Sequence, residues 1–434
     1  MSAGPREGQA SLAGLEWLLS FSDPRRGVGW NPASRGGLVS NLRRTRVLLD
    51  LVGSPDREMF VVLVAGTKGK GSTAAMLASI LAASGVRAGL STKPHLQAFR
   101  ERIRVDGETI SDGALATEAD GLRPHVAELA RRIPDAGAPT TFELTTVLAL
   151  RHYARERCRV AIIEVGLGGR YDATNATDPH VSVITPISHD HTKELGSRLR
   201  DIAGEKAGII RPGRVVVVAP QGAEARAAIR AAITREAAIA REVRPLASAR
   251  GPRAAYQRTN AAAAIAAAEA LGEHGVAYRA DLATTGLARL HWPGRFEVVD
   301  GQPPIVLDGA HNDGSAEALA AALREAFPRR PLRLVLGLME DKDARGVIRP
   351  LLPLASAVEA TRSRSARALA PAALARKIRG VRTRVHDNVA DAIAAARRDA
   401  SPTDIVCVSG SLALVGEART ALGLPMAERL WDGA

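Results

Sequence analysis

Apolar runs of strand length alternate with Ala-rich helical patterns along most of the chain. Residues 59–64, 160–165, 181–187 and 214–219 each carry a short continuous apolar run, the pattern of a strand covered on both faces. Between and after them, residues 72–84 and 224–240 read as helices, and the Ala/Arg/Glu-rich stretch 223–242 reads as one surface helix because no turn signal interrupts it. Alternation of this kind predicts an α/β chain built on a parallel-rich sheet. No internal repeat is evident. A break falls at His291-Trp292-Pro293-Gly294-Arg295, where the Pro-Gly pair ends helix-like sequence. A second alternation follows: strands at 305–307, 332–336, 358–361 and 404–408, and helices at 315–326, around 371–379 and at 387–399. The expected division is 1–296 and 297–434, the second a smaller doubly wound unit.

Length agrees with two domains, since 434 residues exceed one ordinary domain. No apolar stretch reaches the roughly 18 residues of a membrane span, and the N-terminal sequence lacks a basic region followed by an apolar core, so no leader is expected. Cys158 and Cys407 lie in separate apolar runs, which argues against a disulfide framework and for a reducing cytoplasm. The net charge of +13 admits nucleic acid or small polyanions as partners. Arg residues are scattered without a dense block, and 3% aromatic residues are too few for a base-stacking platform. The reading is therefore no nucleic acid and no membrane. Lysine is rare, and Lys68, Lys70, Lys93, Lys193, Lys206 and Lys342 all fall in Gly-, His- or Asp-rich segments, with Lys377 alone in an ordinary helical pattern. Where Arg serves for mere charge, the remaining lysines mark places where an ammonium or a titratable amine matters.

Four segments carry chemistry. In Val61–Thr73 an apolar strand enters Gly66-Thr67-Lys68-Gly69-Lys70-Gly71-Ser72 and runs directly into a helix. Glycines let backbone N–H groups wrap a phosphate, Lys70 can reach the outer phosphates and Ser72 can face Mg²⁺. The spacing is shorter than the general phosphate-loop pattern, and a plain Gly-rich turn is the bland alternative. Glu164 interrupts an apolar strand, where a carboxylate needs a cationic partner, either an Arg or a metal-bound nucleotide. Ser188-His189-Asp190-His191-Thr192 can bind a divalent ion or orient phosphate, and Gly204-Glu205-Lys206-Ala207-Gly208 follows closely. Val306-Leu307-Asp308-Gly309-Ala310-His311-Asn312 opens the second unit at a strand end. Taken singly, the last two are as readily structural as functional.

In order, GTKGKGS, TKPHL with RERIRVDG, TTFE, IEVGLGGRYDATN, DHT, GEKAGI, WPGRFEVV, LDGAHN, GLMEDKD and VSGSLALVGE resemble the folylpolyglutamate synthase branch of the Mur ligase superfamily, from about Gly37 to near the C-terminus. The resemblance implies a P-loop, Mur-ligase-type nucleotide-binding domain followed by a Rossmann-like domain that closes over the substrate. It implies an ATP-dependent ligase that adds L-glutamate to tetrahydrofolate in γ linkage, and to dihydropteroate in some members, through an acyl phosphate. By it, Thr67, Lys68, Gly69, Lys70, Gly71 and Ser72 hold the triphosphate, and Asn260, Arg295 and Asp308 the nucleotide. Glu164, His191 and Ser72 match metal positions. Lys206 matches a lysine that the superfamily carbamylates into a metal ligand. Lys70, His191, Lys206 and His311 are then the catalytic set, and Thr141, Phe142, Glu143, Asp172 and Ala173 lie near the pterin. ATP, Mg²⁺, folate and glutamate are the implied ligands, and a monomer the implied state.

Two departures stand out. Lys93 replaces the usual Ser before Pro94-His95-Leu96, and Lys68 the usual Asn. A protonated amine cannot ligate metal, so fewer Mg²⁺ ions are expected, with the lysines supplying part of their charge. Lys193-Glu194 also departs from the common pattern. The competing readings are a ligase for a cell-wall nucleotide, disfavoured because only about 65 residues precede the phosphate loop, a nucleic-acid-associated P-loop ATPase, and a degenerate regulatory nucleotide binder.

Overall fold

The computed structural model describes residues 13–23, 25–247, 252 and 254–431. The N-terminal stretch read above as carrying no leader lies largely outside these. Two sheets organise the chain. The first contains β1 (Phe60–Ala65), β2 (Ala88–Ser91), β3 (Ile103–Val105), β4 (Glu108–Thr109), β5 (Val160–Glu164), β6 (Val181–Ile184), β7 (Val215–Val218) and β8 (Ile239–Glu242), in the order β4-β3-β2-β5-β1-β6-β7-β8. Strands β2, β5, β1, β6, β7 and β8 run parallel, and β3 and β4 add an antiparallel edge. The central strands are buried throughout, as continuous apolar runs require. Strand β6 stops at Ile184, three residues short of the expected end: Thr185 N makes the last ladder bond, to Ala65 O at 2.8 Å, and Pro186 has no amide to donate.

Helices cover both faces. On one, Lys70–Ala83 packs against the Ala-rich helix Ala255–Glu273, where small side chains allow close approach. On the other lie Gly37–Leu51, Asp112–Arg132 and Thr141–Arg155. One expectation fails here. The surface helix over 223–242 is a helix only over Ala223–Arg235, and the chain then turns through Ala237, at φ 46°, into β8. As an edge strand β8 is largely exposed, so its Ile-Ala-Arg-Glu sequence lacks the apolar run that marks the other strands.

The second sheet contains β9 (Glu297–Val299), β10 (Ile305–Asp308), β11 (Leu332–Leu336), β12 (Ala355–Ala360), β13 (Arg382–Val385) and β14 (Ile405–Ser409), in the order β13-β12-β11-β14-β10-β9. Only β9 is antiparallel. The chain then returns to the first sheet. Thr109 donates to Glu428 O at 2.9 Å and Leu430 to Gly107 O at 3.1 Å, while Leu430 and Trp431 join the first core. Among the described residues no helix is long and apolar enough to cross a membrane, and Cys158 and Cys407 are free and buried.

Candidate active site at the ends of two parallel sheets

The phosphate loop is shaped by two glycines. A Cβ on Gly66, at φ 146°, would lie 1.9 Å from Thr185 Oγ1, and one on Gly69, at φ 82°, 2.1 Å from Asn260 Oδ1. Only glycine fits either place. Thr67 and Lys68 donate their amides to Pro186 O at 3.1 and 3.3 Å, and Thr67 Oγ1 donates to Ser188 O at 3.0 Å. These bonds stitch the loop to the segment after β6. The helix Lys70–Ala83 then begins with no side-chain cap, so its first-turn amides and its positive dipole end face the space beyond the sheet. An uncapped helix start beside lysine is an anion site.

That space is a cavity of about 1110 Å³ between the two units. Its walls bring together Thr67 through Ser72, Glu164, His191, Asn260, Arg295, Asp308, His311, Phe142, Asp172 and Ala173. Glu164 ends β5 beside the loop, with Lys70 Nζ 4.0 Å from its Oε1 and the Lys93 amide 2.8 Å from its Oε2. Lys206 sits behind the loop, at the end of the helix Leu199–Lys206, and donates to Gly66 O at 2.9 Å. Burial, with the charge of Lys70, brings its amine down to about 7. His191 starts a short helix at φ 50°, and burial holds its imidazole below the ordinary range.

The second unit presents Asp308 at the end of β10. Its carboxylate accepts from Tyr256 Oη at 3.0 Å, Phe296 N at 2.8 Å and Ala310 N at 2.9 Å. Burial raises its pKa, against the lowering effects of Arg295 and these donors. His311 Nδ1 lies 2.8 Å from Gly309 O, and burial with the nearby Lys342 charge holds it at about 4. Lys342 reaches across to Asp190 at 3.1 Å. Burial pushes the Asp190 carboxyl up, but Lys342, His191 and His311 outweigh it and leave it at about 2.

Two expected substrate residues do another job. Thr141 and Glu143 flank Phe142 on the helix Thr141–Arg155, yet neither lines the cavity. Thr141 Oγ1 donates to Leu18 O at 2.6 Å, and Glu143 forms a two-pronged pair with Arg44, 2.8 Å at each prong, with both side chains essentially inaccessible. Helical geometry turns neighbouring residues away from the direction of Phe142. Conversely, the wall includes residues that sequence reasoning did not single out: Tyr256, Trp30 under the Arg26 guanidinium, and Arg102, whose Nε donates to His95 Nδ1 at 2.9 Å. Arg102 was inside a recognisable motif, RERI, but its burial was not readable there.

Among the described residues no three His, Cys, Asp or Glu side chains converge as a metal cage. Mg²⁺ asks for less, namely one or two carboxylates with phosphate oxygens and water. Glu164 and Ser72, on the same wall as the helix start, fit an ion that arrives with a nucleotide.

Residues 64–239 match the Mur ligase middle domain and residues 294–412 the Mur ligase glutamate ligase domain. The chain is 35% identical over 349 residues to the dihydrofolate synthase/folylpolyglutamate synthase of Bacillus subtilis, covering 74% of this chain and 81% of that protein. The folylpolyglutamate synthase of Mycobacterium tuberculosis complexed with ADP superposes with a TM-score of 0.86 at 31% identity, over 97% of this chain and 100% of that one. The bifunctional folylpolyglutamate synthase/dihydrofolate synthase of Yersinia pestis, complexed with AMPPNP and a Mn ion, gives 0.80 at 28% identity, over 97% and 100%. With its phosphate loop, its carboxylate-bearing β5 and its second sheet facing them across one cavity, the chain belongs to the folylpolyglutamate synthase/dihydrofolate synthase family of Mur-type ligases.

Proposed function

We propose that this protein uses ATP to join L-glutamate to a carboxylate of tetrahydrofolate in γ linkage, and to dihydropteroate. One observation carries the reading: the uncapped helix start with Lys70 and Glu164 opens into the same cavity as Phe142 and Asp172. Phosphate chemistry and an aromatic, polar-tipped pocket for a pterin are thus within one enclosure. Residues 1–296 would carry the phosphate loop and 297–434 would close over it.

A carboxylate oxygen is no leaving group, so the acid must be activated. Its oxygen attacks the γ-phosphorus, the bond to the bridging oxygen breaks, and ADP leaves. The glutamate amine then adds to the acyl carbon, phosphate departs, and the amine proton is released. Thr67 through Ser72 hold the triphosphate by backbone amides, and Lys70 offsets the repulsion of two anions brought together. Asn260, Arg295 and Asp308 hold the nucleoside end. His311, neutral over the physiological range, accepts or orients the departing amine proton. Mg²⁺, held by Ser72, Glu164 and His191, would polarise the γ-phosphoryl oxygens. Lys206, once carbamylated, would add a ligand, and its lowered pKa supplies the neutral amine that this modification needs. Lys68 and Lys93 reduce the number of ions required. Closure of the second unit excludes water from the acyl phosphate.

The test is ADP release by the full chain with glutamate plus, in turn, dihydropteroate, tetrahydrofolate and a methylene derivative. Release that requires both acid and amino acid supports the reading. Nucleotide consumption stimulated by DNA or RNA instead, or none with any pteridine acid, overturns it.

A further inference from the structure

Lys93 is a charged group on the cavity wall, close to Phe142, whose protein contacts leave it incomplete. Its ammonium donates to Glu164 O at 2.7 Å and lies 4.4 Å from the centre of the Phe142 ring. Three N–H groups are available on an ammonium, and this main-chain oxygen is the acceptor the protein provides. The two carboxylates close enough to favour its charge are Glu164 and Asp172, and both are engaged elsewhere. Glu164 Oε2 takes the Lys93 amide. Asp172 accepts from Leu167 N at 2.8 Å and from Thr174 N and Oγ1 at 3.0 and 2.6 Å.

The backbone that carries Lys93 is held on both sides, its own amide on Glu164 Oε2 at 2.8 Å. The following segment is pinned, with the Leu96, Gln97 and Ala98 amides on the Glu101 carboxylate at 2.8–2.9 Å and Gln97 Oε1 held by Arg419 at 3.0 Å. Lys93 lines the cavity. A fixed cation with spare donors inside a ligand cavity is a receptor for an anion. The phosphates already have the helix start and Lys70. On the other side Phe142 offers only an apolar ring. An anion attached to a flat ring system that lies against Phe142 would reach Lys93 just before it reaches the phosphate loop.

We propose that Lys93 holds the acceptor's reacting carboxylate at the edge of the phosphate loop, so that a fixed protein charge steadies the nucleophile before phosphoryl transfer. The proposal rests on the ligase reading above. It makes Lys93 a catalytic residue in contact with substrate, distinct from the lysines that face ATP.

The experiment is binding of tetrahydrofolate and of its γ-methyl ester to the full chain, by calorimetry, with and without AMPPCP. Wild type is expected to favour the acid over the ester by about ten- to hundredfold, the range for a hydrogen bond between charged groups. Lys93→Met is expected to bind both alike. A wild type that binds acid and ester equally overturns the proposal, and so does a Lys93→Met or Lys93→Gln variant that keeps the preference. The wild-type comparison decides even if both variants fail to fold. Wild-type turnover, measured in parallel, separates the two ideas. A chain that ligates glutamate but ignores the ester block loses only the role of Lys93, whereas one that never consumes ATP loses the ligase reading itself.

Discussion

The helix turn around Phe142 divides two regions that treat buried charge in opposite ways. Behind it, Arg44 and Glu143 meet in a two-pronged pair, and Arg44 further donates to Ala136 O and Asn41 Oδ1, so that no charge is left wanting. In front of it, Lys93 has a main-chain oxygen as partner and Lys70 stands 4.0 Å from Glu164, while Lys206, behind the phosphate loop and off the cavity wall, likewise has a main-chain oxygen, Gly66 O. Burial pulls the Lys93 amine to about 8 and the Lys206 amine to about 7. A charge completed by the protein holds the fold together. A charge left incomplete in a cavity costs stability and is kept for a ligand. Residue type alone does not separate the two classes, but the completeness of the partner set does.

Breaking the complete pair should produce the largest effect. Glu143→Gln leaves the Arg44 charge buried and unpaired, and is expected to lower stability by about 3–5 kcal/mol in denaturant unfolding. At a temperature where the variant stays folded, its KM for the folate should not change. A raised KM with stability intact would move Glu143 to the substrate side of the wall. Next in size is Lys70→Met, which removes an incomplete charge. Turnover should fall by about 10²–10³-fold, as for loss of one preorganised stabiliser of developing charge, and the melting temperature should hold or rise. Unaltered turnover would remove Lys70 from the reaction.

Legibility in the sequence followed contiguity. The phosphate loop was readable because strand, glycines and helix are adjacent in the chain, and Glu164 because a carboxylate interrupts an apolar run. Helix start and strand end then landed on the same cavity. Thr141-Phe142-Glu143 was misleading for the same reason. Adjacency in a motif placed all three at the site, while the helix turns only Phe142 toward it. Strand β8 was hidden by its exposure, since an edge strand needs no apolar run. The Lys342–Asp190 and Tyr256–Asp308 contacts, 152 and 52 residues apart, leave no local pattern at all. Lys342 drew notice as one of few lysines and as part of GLMEDKD, with nothing to pair it with Asp190.

Lys342–Asp190 is the intermediate case, a pair complete in charge but split between the two units. Asp190→Asn and Lys342→Met are each expected to reduce kcat/KM by about tenfold through weaker closure, and the double variant by little more, a coupling in the range of 0.5–3 kcal/mol. Strict additivity would mean that the bridge is incidental to closure.

The smallest expected effect concerns Lys206, and its sign follows from the direction of the shift. Burial lowers the folded amine from its ordinary 10.5 to about 7. The folded chain therefore gives up this proton before the unfolded chain does. The cost of burying the charge is full below pH 7 and is relieved as the pH rises toward 10.5. Wild-type stability should gain across that window, and Lys206→Met should lack the gain. The same titration governs reaction with carbon dioxide, in which the neutral amine adds to carbon and a proton is released. One unit below its pKa only about a tenth of the amine is neutral, against half at the pKa. With carbon dioxide present but limiting, carbamylation and turnover should thus fall by about fivefold between pH 7 and 6, excess bicarbonate should restore both, and protein stripped of carbon dioxide should be low in turnover at either pH. A pH profile indifferent to bicarbonate would leave Lys206 an uncomplemented charge with no modification to explain it, and would break the rule drawn from the two sides of the Phe142 turn at its most deeply buried member.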